Sequence, residues 1–232
     1  MILIRRSKKK SKEKKFSVVT TFAGGGGSST GYRLAGSHVL LANEFVDEAA
    51  KTYSENYPDT PVEVVDIRHI TRRKYVTEWF SKFGIKKGNY DLLDGSPPCA
   101  SFSVAGSMFD KDDSENVVYS DTKQSRVGFL IHDFVYVANV TQPKVLVLEN
   151  VTQIHKSDIF QIAVERLRRW GYLCCYKVLE ATDYGVAQTR RRLFLIGIRP
   201  DIAEKVGIRD ERQLMDEIYP EPIGTTLTLR DV

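Results

Sequence analysis

Cys99 stands at the end of Asp94-Gly95-Ser96-Pro97-Pro98-Cys99, directly after the apolar run Tyr90-Asp91-Leu92-Leu93. Gly95 and the two prolines must stop a strand there, because proline fixes φ and donates no ladder hydrogen bond. A thiol delivered at the carboxyl end of a central strand lies where open α/β sheets place their ligands. Pro98 stiffens the chain beside it, which suits a nucleophile that must meet a carbon at a fixed angle. A lone Pro-Cys is ordinarily a half-buried cysteine after a turn, so the nucleophile reading rests on the segments around it.

The run Gly24-Gly25-Gly26-Gly27 follows the β-branched stretch Phe16 to Phe22 and leads into a helix expected to begin near Thr30. Glycines allow positive φ and close approach of a ligand, and a helix N-terminus offers free N–H groups. Glu44 lies at the end of the next strand, where an acid can hold ribose hydroxyls. Asp66 ends the third strand and could line the same crevice. The P-loop pattern is missing and the glycine spacing departs from that of dinucleotide binders, so a nucleoside cofactor without a pyrophosphate fits better.

Glu149 ends the apolar strand Lys144 to Leu148, next to the strand that delivers Cys99. A partly desolvated carboxylate favours its protonated form and can share or donate a proton; the plainer reading is a turn or helix-capping acid. Gln188-Thr189-Arg190-Arg191-Arg192 precedes the last strand. Alternation points Arg190 and Arg192 the same way, toward an anionic or carbonyl-rich ligand. Without a ligand they would be a solvated basic run.

The elements that must position these groups alternate regularly. Strands are expected at Phe16–Phe22, His38–Ala42, Val62–Val65, Leu92–Asp94, Lys144–Leu148, Leu173–Leu179 and Leu193–Ile198. Helices are expected at Asp47–Asn56, Lys74–Phe83, Val127–Val140 and Asp158–Trp170. Alternating βα units predict a doubly wound, Rossmann-like α/β sheet of about seven strands. Residues 100–126 show no period, and a long segment beginning at the candidate nucleophile reads as an active-site lid.

Bulk properties narrow the classes further. A chain of 232 residues can bury a full core without disulfide or metal support. No apolar run approaches the roughly 18 residues of a membrane span. Three cysteines, two of them adjacent, form no disulfide framework or zinc spacing, and the four histidines form no ligand cluster; no metal and a reducing, intracellular setting are expected. The formal charge is +4, but residues 1–15 hold eight Lys/Arg against one Glu and so carry +7, leaving −3 on the remainder. Residues 1–15 read as a basic, disordered, solvated tail, with a nucleic-acid arm as the alternative, and 16–232 as one catalytic and cofactor-binding domain.

Phe22-Ala23-Gly24-Gly25-Gly26-Gly27, Gly95-Ser96-Pro97-Pro98-Cys99, Glu149-Asn150-Val151 and Gln188-Thr189-Arg190-Arg191-Arg192 occur in the order and approximate spacing of the DNA (cytosine-5) methyltransferases, which this chain resembles from Phe16 to about Pro200. The resemblance implies S-adenosylmethionine held by Phe22, the glycine turn, Glu44 and Phe45, with Asp66, Ile67, Pro98 and Leu130 at further cofactor-pocket positions. It assigns attack on cytosine C6 to Cys99, contact with N3 to Glu149, and support of the flipped nucleotide to Arg190 and Arg192. Double-stranded DNA is the implied substrate, in a cytoplasmic, bacterial or phage-type restriction–modification setting. The base must leave the duplex to be reached.

Family members carry a target-recognition region and two further motifs after the portion resembled here, so a complementing region, in a second polypeptide or a longer chain, is expected to supply specificity. Two other readings remain: a relative that methylates cytosine in tRNA, and a catalytically silent nucleic-acid-binding subunit. A binding role alone would not need Cys99, Glu149 and the arginines together.

Overall fold

A computed structural model describes residues 16–98 and 129–224. The expected tail at 1–15, Cys99 itself, the lid at 100–126 and the first two residues of the expected Val127–Val140 helix lie outside the described residues.

Seven strands form one sheet: β1 (Phe16–Thr21), β2 (Ser37–Glu44), β3 (Val62–Val64), β4 (Leu92–Gly95), β5 (Val145–Asn150), β6 (Leu173–Glu180) and β7 (Arg191–Ile198). Their spatial order is β3-β2-β1-β4-β5-β7-β6. Strands β1 to β5 pair in parallel, whereas β7 runs antiparallel to both β5 and β6. The doubly wound expectation is met, with an antiparallel strand near one edge whose direction no residue pattern announced. Strand order reverses between β1 and β4, and such a switch point opens the crevice of this architecture.

Eight α-helices accompany the sheet among the described residues: α1 (Gly27–Leu34), α2 (Asp47–Asn56), α3 (Ile67–Ile70), α4 (Arg73–Lys82), α5 (Leu130–Thr141), α6 (Asp158–Arg169), α7 (Pro200–Val206) and α8 (Glu211–Ile218). Helix α1 begins at Gly27, not near Thr30, because Gly26 takes a left-handed conformation (φ 95°) as its N-cap and accepts from the Thr30 N–H. A Cβ at Gly26 would meet the Tyr57 ring at 2.5 Å, so glycine is required there twice over. The sequence pattern did not anticipate α3, α7 or α8, which are only four to eight residues long.

Strand alternation divides the packing between two faces. Val19, Leu93, Leu146, Leu148, Leu193 and Leu195 point to one face, where they form the main core with Phe134 of α5 and Phe160 of α6. On the other face Phe194, Ile196 and Ile198 form a second cluster with α7 and α8 through Ala203, Leu214 and Tyr219. Also on that side, α1 and α2 are joined by a Tyr53–Ser29 hydrogen bond of 2.8 Å. The β6 edge is covered as well: Glu211 accepts from the Cys174 N–H at 3.0 Å while pairing with Arg168. That occupies a donor which an exposed edge would offer to another chain.

Two short polar links lock the sheet around its switch point. At one end Asp91 accepts from both the N–H and hydroxyl of Ser17 and pairs with Lys144 at 2.6 Å. At the other, the Thr21 hydroxyl donates to the Asp94 carbonyl. Gly95 sits where β4 meets its neighbours most tightly: an added Cβ would lie 2.6 Å from Phe134 Cδ2 and 2.6 Å from Thr21 Oγ1. Gly95→Ala is therefore expected to cost about 1–3 kcal/mol through overpacking, read as a lower urea midpoint with an unchanged slope.

Candidate active site

The carboxyl ends of β1, β2 and β3 carry the expected cofactor residues other than Pro98, at the exit of β4, and Leu130, at the start of α5. Phe22, the first residue beyond β1, holds a positive φ of 54°, an uncommon conformation for a side chain of that size. It turns the chain sharply into the glycine run, where Gly24 is also left-handed (φ 54°). A Cβ at Gly24 or Gly27 would meet nothing within 4 Å, so this turn opens onto free space above the sheet. The Gly26 N–H is occupied by the Ala23 carbonyl, which closes the turn.

Glu44 braces this wall. Its carboxylate accepts from the Gly24 N–H at 2.8 Å and from the Phe45 and Val46 N–H groups at 2.9 Å each. Three donors leave about one lone pair of a carboxylate free for a ligand hydroxyl. Asp66 is committed locally: it caps α3 through the Arg68 N–H and pairs with the Arg68 guanidinium. Those Arg68 hydrogen bonds hold the Asp66 carboxyl below its usual range. Phe45 is 48 % exposed beside the turn, whereas Ile67 and Leu130 are buried in the main core.

Three of the expected reaction residues, Glu149, Arg190 and Arg192, meet at the ends of β5 and β7. Glu149 Oε1 lies 3.2 Å from an Arg190 terminal nitrogen and 3.0 Å from Arg192 Nε. The two arginines do point together, and the group they jointly hold is Glu149. Its side chain is 20 % exposed, so it is partly desolvated yet reachable. Asn150, next in the chain, donates to the Pro97 carbonyl at 2.9 Å and ties the exit of β4 to the exit of β5. Cys99 lies two residues beyond Pro97, outside the described residues, and Pro98 is exposed at the last described position of that exit.

Three contributors escaped the sequence reading. Asn150 makes the link between strand exits just described. Asp94, the last residue of the expected strand Leu92–Asp94 and given no role in the site there, is 3 % exposed. It accepts from the Thr20 hydroxyl and the Tyr32 hydroxyl at 2.9 Å each. A carboxylate embedded in an otherwise apolar strand was the available signal. Burial raises its pKa to about 6, against the two hydroxyl donors and with a smaller push from the charge of Glu149. Tyr32, itself desolvated and facing Asp94, has its phenol pushed well above the ordinary value.

This pKa predicts a pH dependence of stability. The Asp94 value rises from 3.8 unfolded to about 6 folded, so the folded state binds that proton more tightly. The associated stability is fully present below about pH 4 and is lost as pH rises through 6, amounting to about 3 kcal/mol at 1.36 kcal/mol per unit. Asp94→Asn should flatten the stability profile between pH 4 and 6, measured by urea unfolding at a series of pH values.

No group of three or more potential metal ligands occurs among the described residues. None of the described helices is long and apolar enough to cross a membrane. The chain is 34 % identical over 181 residues to the type II methyltransferase M1.HphI of Haemophilus parahaemolyticus, covering 73 % of this chain and 42 % of that protein. It is 31 % identical over 202 residues to DNA (cytosine-5)-methyltransferase 1 of Mus musculus, covering 84 % of this chain and 11 % of that protein. The matches thus span less than half the length of each of these relatives. In fold it resembles an E. coli prophage-encoded candidate DNA modification methyltransferase, with a TM-score of 0.70 and 24 % identity over 94 % of this chain and 54 % of the other. It also resembles the S. pombe Dnmt2 methyltransferase, with a TM-score of 0.59 and 19 % identity over 79 % and 49 % of the two chains. The family model described as C-5 cytosine-specific DNA methylase matches residues 16–232, and the chain belongs to that family.

Proposed function

We propose that this chain carries the catalytic and cofactor-binding part of a DNA (cytosine-5) methyltransferase using S-adenosylmethionine. The observation that carries the reading is Glu149 held between Arg190 and Arg192 beside the strand exit that leads to Cys99, in a chain of this family. The glycine turn fits the cofactor, because Gly24 and Gly27 face open space where a side chain would intrude. The turn and Phe22 form one wall of its site. Glu44 offers its remaining lone pair to a ribose hydroxyl, Phe45 offers an exposed ring, and Asp66, Ile67, Pro98 and Leu130 line the remainder.

When bound, the cofactor supplies a methyl group on a sulfonium, which cytosine C5 takes from sulfur, leaving a neutral thioether. C5 becomes nucleophilic only after the Cys99 thiolate adds to C6 of a base rotated out of the duplex. That addition forms the C6–S bond and pushes electron density toward N3 and O2. Glu149 meets N3 with a proton, and a guanidinium of the Arg190–Arg192 pair meets O2. Loss of the C5 proton then returns the electron pair to the ring and expels the thiolate. Sequence specificity is assigned to a recognition region outside the residues described, since phosphate contacts alone cannot specify a site.

Two predictions test this assignment. With a complementing recognition region supplied, Cys99→Ala abolishes methyl transfer from tritiated cofactor but largely spares cofactor binding. An oligonucleotide carrying 5-fluorocytosine traps a covalent adduct with the native chain, because fluorine cannot leave as a proton. Transfer by the Ala variant would make Cys99 structural, and presenting duplex DNA and tRNA in parallel identifies the nucleic acid. Separately, Glu44→Ala weakens cofactor binding by about 1–3 kcal/mol, the range for hydrogen bonds to a charged group. It also lowers stability by releasing three backbone donors. Glu149→Gln instead slows methyl transfer with little change in cofactor affinity. Titration calorimetry of both variants decides, and an unchanged Glu44→Ala affinity removes that residue from the site.

A further inference from the structure

Asp94 is a carboxylate for which the reaction above has no use. It is 3 % exposed, and its hydrogen-bond partners are the hydroxyls of Thr20 and Tyr32, both neutral. Among the described residues it makes no ion pair, whereas Glu149 has two guanidiniums. A buried carboxylate without a cation is costly and is ordinarily replaced unless its charge does something.

Register places that charge. Thr20 pairs with Asp94, and Asp94 pairs with Val147, so all three point to one face of the sheet. Glu149 is two residues beyond Val147 and therefore points to the same face. It pairs with Phe194 of β7, and Arg192, two residues before Phe194, shares that face too. The main core, with Phe134 against Gly95, lies on the opposite face. The result is a polar row, Thr20–Asp94–Glu149–Arg192, crossing four strands. Helix α1 covers one end through Tyr32, and α7 and α8 pack over the apolar cluster beyond β5.

We propose that Asp94 is a positioning residue of the active site, a second carboxylate whose negative charge acts on Glu149 across this face and opposes the arginine pair there. The proposal rests on the methyltransferase reading for its consequence, but its physical content is the coupling between the two carboxylates. Glu149 sits between opposing influences. Arg190 and Arg192 attract its negative charge, while the Asp94 carboxylate, acting through a desolvated interior, repels it. The groups facing Asp94 are Thr20 from β1, Tyr32 from α1 and Glu149 from β5, with the arginines of the β7 segment reaching it only through Glu149. Near pH 7 a charged Asp94 opposes the arginines at Glu149. With a neutral residue at 94, the arginines act unopposed. Tyr32 and Thr20 make the charge tolerable, and their bonds also tie α1, which starts at the glycine turn, to the strand leading to Cys99.

Carboxyl-carbon NMR of the full 232-residue chain labelled at Asp and Glu tests the coupling without any reaction. The Asp94 resonance is identified by its loss in Asp94→Asn. It should titrate near pH 6 in the native chain, and its midpoint should fall by at least about half a unit in Glu149→Gln, which removes the neighbouring charge. Tyr32→Phe, a milder change that keeps the fold if Asp94→Asn does not, should move the midpoint upward by removing a donor to the charged form. An Asp94 midpoint that ignores Glu149→Gln overturns the proposal. In the complemented, active enzyme, Asp94→Asn should shift the alkaline limb of the pH–rate profile to lower pH. A purely structural brace would change the amplitude of that profile and leave the limb in place, and this result also overturns the proposal. Failure of the native chain to trap 5-fluorocytosine would instead overturn the methyltransferase reading, while the NMR midpoints report the carboxylate coupling independently.

Discussion

The parallel pairing of β1 with β4, from Val18↔Leu92 to Thr21↔Gly95, is the constraint on which the other features depend. These strands are far apart in sequence, and their register decides that the turn after β1 and the exit after β4 open side by side. One end is pinned by Asp91 through Ser17 and Lys144, and the other by Thr20 and Thr21 against Asp94. Gly95 makes the close approach possible, since Thr21 and Phe134 occupy the space a Cβ would need. A shift of one residue would turn Asp94 into the apolar core and Leu93 toward the site.

From that register the site is built by strand exits more than by loops. Asn150 ties the β4 exit to the β5 exit through the Pro97 carbonyl. Glu149 is carried at the end of β5, and β7 returns antiparallel so that its first residues lie over Glu149. An antiparallel neighbour is what brings Arg190 and Arg192 to this end of the sheet, because a parallel strand would start at the opposite end. Residues on rigid strand ends hold their geometry better than residues on free loops.

Charge is distributed unevenly over this scaffold. The arginines partly neutralise Glu149 at a position reachable by solvent. Asp94 is closed in by Thr20 and Tyr32 without a cation. The two carboxylates therefore differ in environment while sharing one face, the arrangement that separates acid from base roles elsewhere in enzymology. Glu44 is a third kind of acid, held by three backbone donors so that it serves first as a brace for the glycine turn.

Much of the site was legible in sequence because its signals are local. Gly24 to Gly27 after a β-branched run, prolines before Cys99 and an acid closing an all-apolar strand each announce a strand end by backbone chemistry. The strand and helix periods similarly determined the α/β class and the number of strands, and Asp47–Asn56 has the bounds its pattern implies. What the sequence left open depends on partners distant along the chain. The antiparallel course of β7, the commitment of Asp66 to Arg68 and the three donors on Glu44 follow from packing and hydrogen bonding that no periodicity encodes. Asp94 is the sharpest case: its residue type is visible at once, but its burial and its hydroxyl partners exist only when β1, β4 and α1 come together. A side chain's type is local, while its solvation and the charges it faces are properties of the tertiary structure alone.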